Sequence, residues 1–378
     1  MKHKVKFMNM AVALLISAAT AMSAFAGGVK YKNEDGDYIK LGGRIQLQYH
    51  SEDPDDGDSE DELRFRRLRP YIEGSTHSGW KGKWQWDMGK GKVEIKDCYL
   101  QYKEFEGVAI GIGNMNFPFS REKLTSSKKQ QLVERTFVGD HNYGTPDRQA
   151  GIHLTGNNDS KTVAWGLSLA EGGQDPSNKK LDFDTIASLN RGDDWSEGPM
   201  AGARLAIHPM GWDKPSQGDF SREGKAYLGV GAFTWANDDD NLDASRSNDV
   251  DSVTGFEIGG GIRGGGVSID AQYNQFNSEL VQAGITSGLY KNSETTLKNW
   301  AVEGGVMIVP NALEVVAGYQ SQDADNYADS WNRASVGLNV FQAKHDIKYQ
   351  LTYRMGENKD GKKGHDLDEM FVQAQYVF

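Results

Sequence analysis

The feature of this sequence that most constrains its fold is an alternation of apolar and polar residues with a period of two. Successive side chains of a β-strand point to opposite faces, so the pattern predicts strands with one apolar and one polar face. In residues 37–50, one face carries Ile39, Leu41, Ile45, Leu47 and Tyr49, and the other carries Lys40, Arg44, Gln46, Gln48 and His50. A soluble β-sandwich would also alternate, so the pattern alone leaves two fold classes open.

Sixteen segments have this strand-like character. They are 37–50, 63–75, 79–88, 93–104, 107–115, 148–157, 161–170, 200–209, 225–236, 252–263, 266–276, 298–309, 312–321, 331–340, 343–354 and 369–378. Each is close in length to the ~9–11 residues with which a tilted strand crosses a bilayer. No apolar stretch after residue 26 approaches the ~18 residues of a spanning helix. We therefore expect an all-β fold, a sixteen-stranded antiparallel transmembrane β-barrel.

The connections between these segments form a long set and a short set. The long, mostly polar set is 51–62, 116–147, 171–199, 237–251, 277–297, 322–330 and 355–368, and the short set is 76–78, 105–106, 158–160, 264–265, 310–311 and 341–342. Outer-membrane barrels have long outer loops and short periplasmic turns. Two connections break the rule, because 89–92 is short where a long loop is due and 210–224 is long where a turn is due.

Residues 1–26 have the pattern of a secretory signal peptide, which leaves 27–378 as the barrel. Lys2, Lys4 and Lys6 form a basic start, an apolar core follows, and Ala24 and Ala26 are the small residues before the cleavage point. The closing stretch 370–378 resembles the strand that the barrel assembly machinery of Gram-negative bacteria reads. We expect export to the outer membrane, with its lipid and lipopolysaccharide and the assembly machinery as partners.

Charge is unevenly placed along the chain. The net charge is −11, and loss of the three leader lysines makes it −14, which argues against nucleic acid as a partner. Acids collect in 52–62 and 238–240, while the polar faces of the strands carry more Lys and Arg than acids. Rings of cations between low-dielectric walls attract anions. The alternative is that these are the solvated charges of any water-filled lumen.

The densest cationic cluster, residues 63–135, also carries a family resemblance. Stretches 38–46, 65–67 with 71–74, 122–128 with Glu134-Arg135, 300–319 and 375–378 resemble the phosphate-selective porin O and P family. The resemblance covers essentially all of 27–378, closely over 37–157 and more loosely beyond it. It implies a homotrimer of sixteen-stranded barrels in which the third loop folds inward and narrows the pore.

The resemblance also implies the residues that bind anions at this constriction. They are Arg66, Arg67, Lys123, Lys128 and Arg135, and the expected lumen lining is Lys40, Arg44, Arg69, Lys81 and Lys83. A guanidinium offers phosphate a planar fork of donors, and a lysine offers a movable point charge. Thr125, Ser126 and Ser127 could add hydroxyl donors.

No sequence motif of an enzyme, metal site or cofactor site stands out. Metal-ligand spacings rich in His, a Gly-x-Ser-x-Gly elbow and a phosphate-cradling Gly-x-x-x-x-Gly-Lys loop completed by Ser or Thr are missing. We therefore expect a passive outer-membrane porin that prefers small anions, with phosphate favoured. The alternatives are a general diffusion porin with little selectivity, or a structural or adhesive surface barrel.

We predict cleavage of the leader after Ala26, because the small residues Ala24 and Ala26 fit the signal peptidase. N-terminal sequencing of the protein extracted from membranes should begin at Gly27. Recovery of a chain that begins at Met1 would contradict export by this route.

Overall fold

The computed structural model describes residues 28–186, 196–238 and 247–378, and the expected signal peptide lies outside them. In this part of the chain, nineteen strands form one sheet. The strands are β1 Val29–Lys32, β2 Tyr38–Gly42, β3 Arg44–Pro54, β4 Glu60–Leu68, β5 Tyr71–Ser75, β6 Trp80–Asp87, β7 Glu94–Phe105, β8 Val108–Asn116, β9 Arg148–Asn157, β10 Val163–Glu171, β11 Pro199–Ile207, β12 Lys225–Ala236, β13 Val250–Gly264, β14 Val267–Leu280, β15 Glu294–Val309, β16 Leu313–Asp323, β17 Trp331–Ala343, β18 Ile347–Glu357 and β19 Leu367–Val377.

In the part of the chain that the structure describes, helical structure is limited to single turns. These are α1 Arg121–Leu124 and the 3-10 turns Gly89–Gly91, Ser127–Lys129 and Lys359–Gly361. Within the described ranges, no helix combines the length and apolar character needed to cross a membrane.

All strand pairs are antiparallel, and the order of pairing follows the chain. From β5 onward each strand pairs with the next one, up to β18 with β19. β3 pairs with β4 on one side and with β19 on the other, and β2 pairs with β5 and with β1. The last strand therefore hydrogen-bonds to one of the first, and β1 continues the row of β19 along β2.

Two of the predicted strands are each divided in the structure. Segment 37–50 becomes β2 and β3, interrupted at Gly43, and segment 63–75 becomes β4 and β5, interrupted at Arg69-Pro70. Proline has no N–H to donate to a ladder, which explains the second break. Pairing persists across both interruptions, because Arg44 and Arg69 exchange backbone hydrogen bonds of 3.2 and 2.9 Å.

The sheet buries its polar face and exposes its apolar face. On β3, Arg44, Gln46 and Gln48 are buried, whereas Leu47 between them is 38% exposed. On β18 the fully buried Lys348 lies on the corresponding face. We call the buried polar side the inner face. A soluble domain buries the opposite set of residues, so the outward apolar face fits the lipid contact expected from the sequence.

Three sequence-based expectations need correction. The stretch 51–62 is mostly strand, since Ser51 pairs with Asp61 and Glu52 with Glu60, which leaves only 55–59 as the connection. The segment β1 was not foreseen. Aromatic residues at strand ends are typical of the girdles at membrane interfaces, so the sequence predicts that Trp235 lies in such an outward girdle. It is instead 2% exposed, because it lies on the inner face of β12.

An apolar cluster on the inner face explains the burial of Trp235. It joins strand residues to residues of the connections after β8, β10, β14 and β16. Its members are Phe117, Phe119, Leu181, Phe183, Met200, Phe233, Trp235, Val250, Val253, Phe276, Leu280, Leu289, Tyr290, Leu297 and Ala324. The long connections therefore pack against the sheet around β11–β16 and leave less room for water on that side.

We predict that a charge on the outward face destabilises the protein according to depth. Ile258 is an exposed residue at the middle of β13. Ile258→Arg should lower the free energy of unfolding in phospholipid vesicles by about 2–4 kcal/mol, because the guanidinium would enter the hydrocarbon. Urea unfolding followed by tryptophan fluorescence measures this.

The matched control is Thr254→Arg, on the same face but nearer the strand end. Its cost should be about 0–1 kcal/mol, as at a membrane interface. Equal costs for both variants would contradict lipid contact at the middle of β13.

Candidate functional site

The third connection on the long-loop side, residues 117–147, is the structural centre of the candidate site. We call it the third loop. None of its residues is exposed, although many are charged or amidic. A connection of 31 residues that is nowhere exposed must lie against the inner face of the sheet. The inward folding expected from the family resemblance therefore agrees with the burial of this segment.

Local hydrogen bonds fold the third loop on itself. The Ser120 hydroxyl accepts from the backbone N–H of Lys123 at 3.2 Å, which caps α1, and donates to the carbonyl of Val138 at 2.7 Å. Arg135 Nη2 donates to the carbonyl of Thr125 at 2.8 Å. These bonds hold the two halves of the loop together.

Side chains of the strands then fix the loop from several sides. The carbonyl of Gln131 accepts from Asn339 and from Gln350, each at 3.0 Å. Lys348 Nζ donates to the carbonyl of Gln130 at 2.7 Å, and Gln320 Oε1 accepts from the N–H of Phe137 at 2.8 Å. Strands β16, β17 and β18 thus satisfy buried backbone groups of the loop.

The connection 208–224, which broke the predicted alternation of loop lengths, supports the third loop from the end of the sheet with short turns. The backbone N–H of Gln131 donates to Gln217 Oε1 at 2.7 Å, and Gln217 N–H donates to the carbonyl of Lys129 at 3.0 Å. Arg121 Nη2 also binds Asp213 Oδ2 at 2.6 Å. This connection is long because it folds against the inner face.

The candidate site involves two cavities beside the third loop. The narrow cavity, of about 330 Å³, lies between the loop and strands β3–β9, and it is lined by Gly43, Arg44, Arg66, Arg67, Arg69, Tyr71, Glu73, Lys83, Gln85, Asp97, Asn116, Lys123, Leu124, Ser126, Ser127, Lys128, Arg135, Asp140, His141, Asp147, Arg148 and Val377. The wide cavity, of about 570 Å³, lies at the long-loop end. Arg66, Arg135 and Asp140 line both, so the two cavities adjoin.

The narrow cavity brings together most of the residues expected from the sequence. Its lining contains all five expected constriction residues, together with Arg44, Arg69 and Lys83 from the expected lumen set. Lys40 and Lys81 are not part of it: Lys40 lies 5.8 Å from the ring centre of Tyr71, and Lys81 pairs with Glu73 at 3.1 Å. Arg148, Asp140 and His141 also line the cavity and were not foreseen.

Positive charge prevails in this lining. It holds nine Lys or Arg side chains and four carboxylates. Several of the cations are compensated by acids in ion pairs. Glu134 accepts two hydrogen bonds from Arg66, of 2.7 and 3.0 Å, and lies 3.6 Å from Arg67. Arg69 binds Asp87 at 2.6 Å.

A second group of ion pairs fixes the end of the third loop. Lys123 Nζ lies 3.1 Å from Asp147 Oδ1, and Arg148 contacts the same carboxylate at 2.9 Å. Arg148 and Lys83 both bind Asp97. Burial lowers the pKa of Lys123 to about 8, against the opposing effect of Asp147. Burial alone would raise the pKa of Asp147, but Lys123 and Arg148 hold it well below its usual range.

Three cations of the narrow cavity remain without a carboxylate partner within 4 Å among the described residues: Arg44, Lys128 and Arg135. Arg44 Nη1 donates to the Ser126 hydroxyl at 3.2 Å, and Arg135 binds only backbone carbonyls. The Nε atoms of Arg44 and Arg135 are buried without a hydrogen-bond partner. Buried guanidinium donors left in this way can bind an anion that enters the cavity.

Comparison with known proteins agrees with this geometry. Residues 39–197 match the model of the family described as phosphate-selective porin O and P. The resemblance predicted from the sequence is confirmed over these residues. The match spans the third loop and β2–β10, which include every residue of the narrow cavity except Val377. The candidate site therefore lies within the matched region.

Relatives and solved structures extend the likeness along the chain. An uncharacterized protein of Aquifex aeolicus (strain VF5) is 25% identical, with 90% of this chain and 86% of that protein covered. The Salmonella typhi OmpF complex with daunomycin has a TM-score of 0.62 at 16% identity, with 93% of this chain and 100% of that one covered. An anion-selective porin from Comamonas acidovorans has a TM-score of 0.62 at 13% identity, with 90% and 100% covered.

At such identities the solved structures establish a shared fold and nothing finer. The family match and the porin fold together place this chain in the outer membrane, as the sequence predicted, and support an outer-membrane porin channel.

The third loop should respond to pH through Glu122. Its carboxylate is buried and accepts from the N–H and hydroxyl of Thr136. Burial raises the pKa of Glu122 to about 7, although these hydrogen bonds oppose the shift. A carboxyl with a raised pKa holds its proton more tightly in the folded loop. Above its ordinary pKa, the Glu122 carboxyl ionises in the opened loop but keeps its proton in the folded loop, so the folded loop becomes less stable relative to the opened loop. This loss of stability increases from about pH 4.5 to pH 7.

We predict that hydrogen-exchange protection of residues 120–138, corrected for intrinsic exchange, falls between pH 5 and pH 7. In Glu122→Gln the amide oxygen can still accept from the N–H of Thr136 and the amide nitrogen can donate to its hydroxyl, but the side chain cannot ionise, so this fall should be smaller in the variant. Glu106→Gln, in the turn between β7 and β8, is the control and should behave as the unmodified protein. Identical pH profiles for both variants would contradict the role of Glu122.

Proposed function

We propose that this chain forms a passive, anion-preferring channel in the outer membrane, with phosphate as the favoured substrate. The single observation that carries the proposal is the narrow cavity, where Arg44, Lys128 and Arg135 have no acidic partner among the described residues. Such a site attracts anions and binds them without covalent chemistry, as a channel requires.

The proposed channel is a closed sixteen-stranded barrel. If β2 with β3 and β4 with β5 each count as one interrupted strand, and β1 counts as a continuation of the β19 row, the nineteen segments reduce to sixteen. The pairing of β19 with β3 supports closure. In a closed sheet the backbone N–H and C=O groups bond to neighbouring strands, which is what a bilayer demands.

The paired and unpaired cations have different proposed roles. Arg66, Arg67 and Lys123 are held by Glu134 and Asp147, so we assign them to the shape and background potential of the constriction. We propose that the anion contacts mainly Arg44, Lys128 and Arg135, which would otherwise remain uncompensated.

Phosphate fits this arrangement better than chloride does. Two guanidinium groups, one ammonium group and the hydroxyls of Ser126 and Ser127 border the same cavity. Directional donors can replace the hydration of several phosphate oxygens, whereas spherical chloride gains less from a planar fork. The wide cavity adds Arg64, Arg333 and Arg354, which would raise the local concentration of anions before they reach the constriction.

We also propose a homotrimer, on the basis of the family match over residues 39–197. Each protomer would contribute its own pore, since the narrow cavity is lined by residues of one chain.

The test is inhibition of chloride current by phosphate in planar bilayers. The reversal potential in a KCl gradient should have the sign of chloride permeation, and phosphate should block chloride current in a saturable manner. Arg135→Gln and Lys128→Gln should each weaken this block about tenfold, because each removes a hydrogen bond to a charged group.

Lys92→Gln is the matched control, because Lys92 is exposed and lines neither cavity. Its phosphate block should equal that of the unmodified channel. Chloride preference without any phosphate block would favour an anion channel of low selectivity, and equal cation and anion permeability would favour a general diffusion porin.

A further inference from the structure

Three groups that commonly bind metal ions lie together on the inner face at the long-loop ends of β3 and β19. His50 and Glu52 are two residues apart on β3, so they point to the same side. In the register between the strands, Glu369 is directly opposite Glu52, and Phe371 is opposite His50. The backbone of two paired strands therefore sets the positions of all three groups.

The spacing of their donor atoms suits a small metal ion. His50 Nε2 lies 3.2 Å from Glu369 Oε1 and 3.7 Å from Glu52 Oε1, and the ligand atoms of the three residues lie within 4.8 Å of one another. Donors bound tetrahedrally to Zn²⁺ at bond lengths of about 2.0–2.2 Å stand roughly 3.4 Å apart. Only small side-chain movements separate the observed arrangement from that geometry.

Packing and neighbouring charges orient the ligands. The His50 ring stacks on Phe371 with centroids 4.3 Å apart, and its Nδ1 faces Glu62 Oε1 at 3.8 Å. A carboxylate near the second ring nitrogen is the usual partner of a metal-bound histidine. Arg354 contacts Glu369 through Oε2 at 3.4 Å, so Oε1 still faces His50.

The groups in contact with the imidazole favour a cation. Carboxylates of Glu52, Glu62 and Glu369 lie within 4 Å of the His50 ring nitrogens. The neighbouring guanidinium groups act on these acids: Arg354 and Arg333 on Glu369, and Arg64 on Glu62. His50, Glu52 and Glu369 all line the wide cavity, which gives the cluster access to solvent.

We propose that His50, Glu52 and Glu369 form a binding site for a divalent transition-metal ion of the Zn²⁺ class at the entrance of the wide cavity. One imidazole nitrogen and two carboxylate oxygens suit such an ion better than Ca²⁺ or Mg²⁺, which prefer oxygen ligands only. A fourth position facing the cavity would hold water.

Metal binding would also change the selectivity of the channel, and this second step rests on the proposed function. A bound dication neutralises the charges of Glu52 and Glu369 at the edge of the wide cavity. These two carboxylates border the wide cavity through which anions would reach the constriction, and they repel anions there. Neutralising them should raise the local anion concentration. Occupancy is therefore expected to strengthen chloride preference.

Binding is tested on the full, detergent-solubilised protein, freed of metal with a chelator and titrated with ZnCl₂ in a calorimeter. One equivalent per chain should bind, and Co²⁺ should give the visible absorption of a low-coordinate site. His50→Gln and Glu52→Gln should each lower the affinity by about 10–100-fold. Glu52 is 41% exposed in its side chain, so its variant tests the site without disturbing packing.

His365→Ala is the control, because His365 is an exposed histidine that lies 2.8 Å from Asp56 outside the cluster. It should leave the one-equivalent site intact. The site is overturned if no saturable binding occurs, or if His50→Gln and Glu52→Gln leave the affinity unchanged.

The effect on selectivity is measured as the reversal potential in a KCl gradient with and without ZnCl₂. A shift toward chloride in the unmodified channel that is lost in Glu52→Gln supports the coupling. Stoichiometric binding without a shift overturns the coupling and leaves the site standing. Absence of chloride preference in metal-free protein contradicts the proposed function, and the calorimetric result is independent of it.

Discussion

Hydrogen bonding between strand side chains and the backbone of the third loop determines the shape of the interior. Buried backbone groups must be paired, and each such bond contributes a net ~0.5–1.5 kcal/mol. Asn339, Lys348 and Gln350 meet this demand at Gln130 and Gln131, and Gln217 meets it from the connection 208–224. The amides and lysine of the inner face are therefore structural groups as well as polar lining, since without them the loop would lose partners for buried carbonyls.

This anchoring places the positively charged cavity on one side of the interior of the sheet. The apolar cluster around Phe233 and Trp235 and the inward connection 208–224 occupy the side of β11–β18, so the narrow cavity lies against β3–β9. Cations that bound this small cavity act on an entering ion at close range. The acids of 55–59 lie in an exposed connection, where their field is screened over about 8–10 Å at physiological salt. A chain with net charge −11 can thus present a positive constriction.

The sequence was informative wherever local pattern decides structure. Alternation predicted the strands and the face of Arg44, and motif position predicted the residues that line the narrow cavity. The failures arise from long-range contacts. Trp235 follows strand alternation but is buried by residues of distant connections, and nothing local predicts that 208–224 turns inward to meet Gln131. The extension of β3 into acidic residues was missed because cross-strand pairing outweighs their low strand propensity.

The division between paired and unpaired cations follows from opposing physical demands. Nine cations around about 330 Å³ would repel one another strongly if none were compensated. Glu134, Asp97 and Asp147 remove much of that repulsion. Glu134 also ties the loop to Arg66 of β4, and Asp97 of β7 joins Lys83 of β6 to Arg148 of β9. Full compensation, however, would leave nothing to attract an anion. Arg44, Lys128 and Arg135 retain the excess charge, and a transient anion between them would relieve the remaining repulsion. Because the surrounding ion pairs already hold the wall in place, that anion can leave without the site having to refold, as passage through a channel requires.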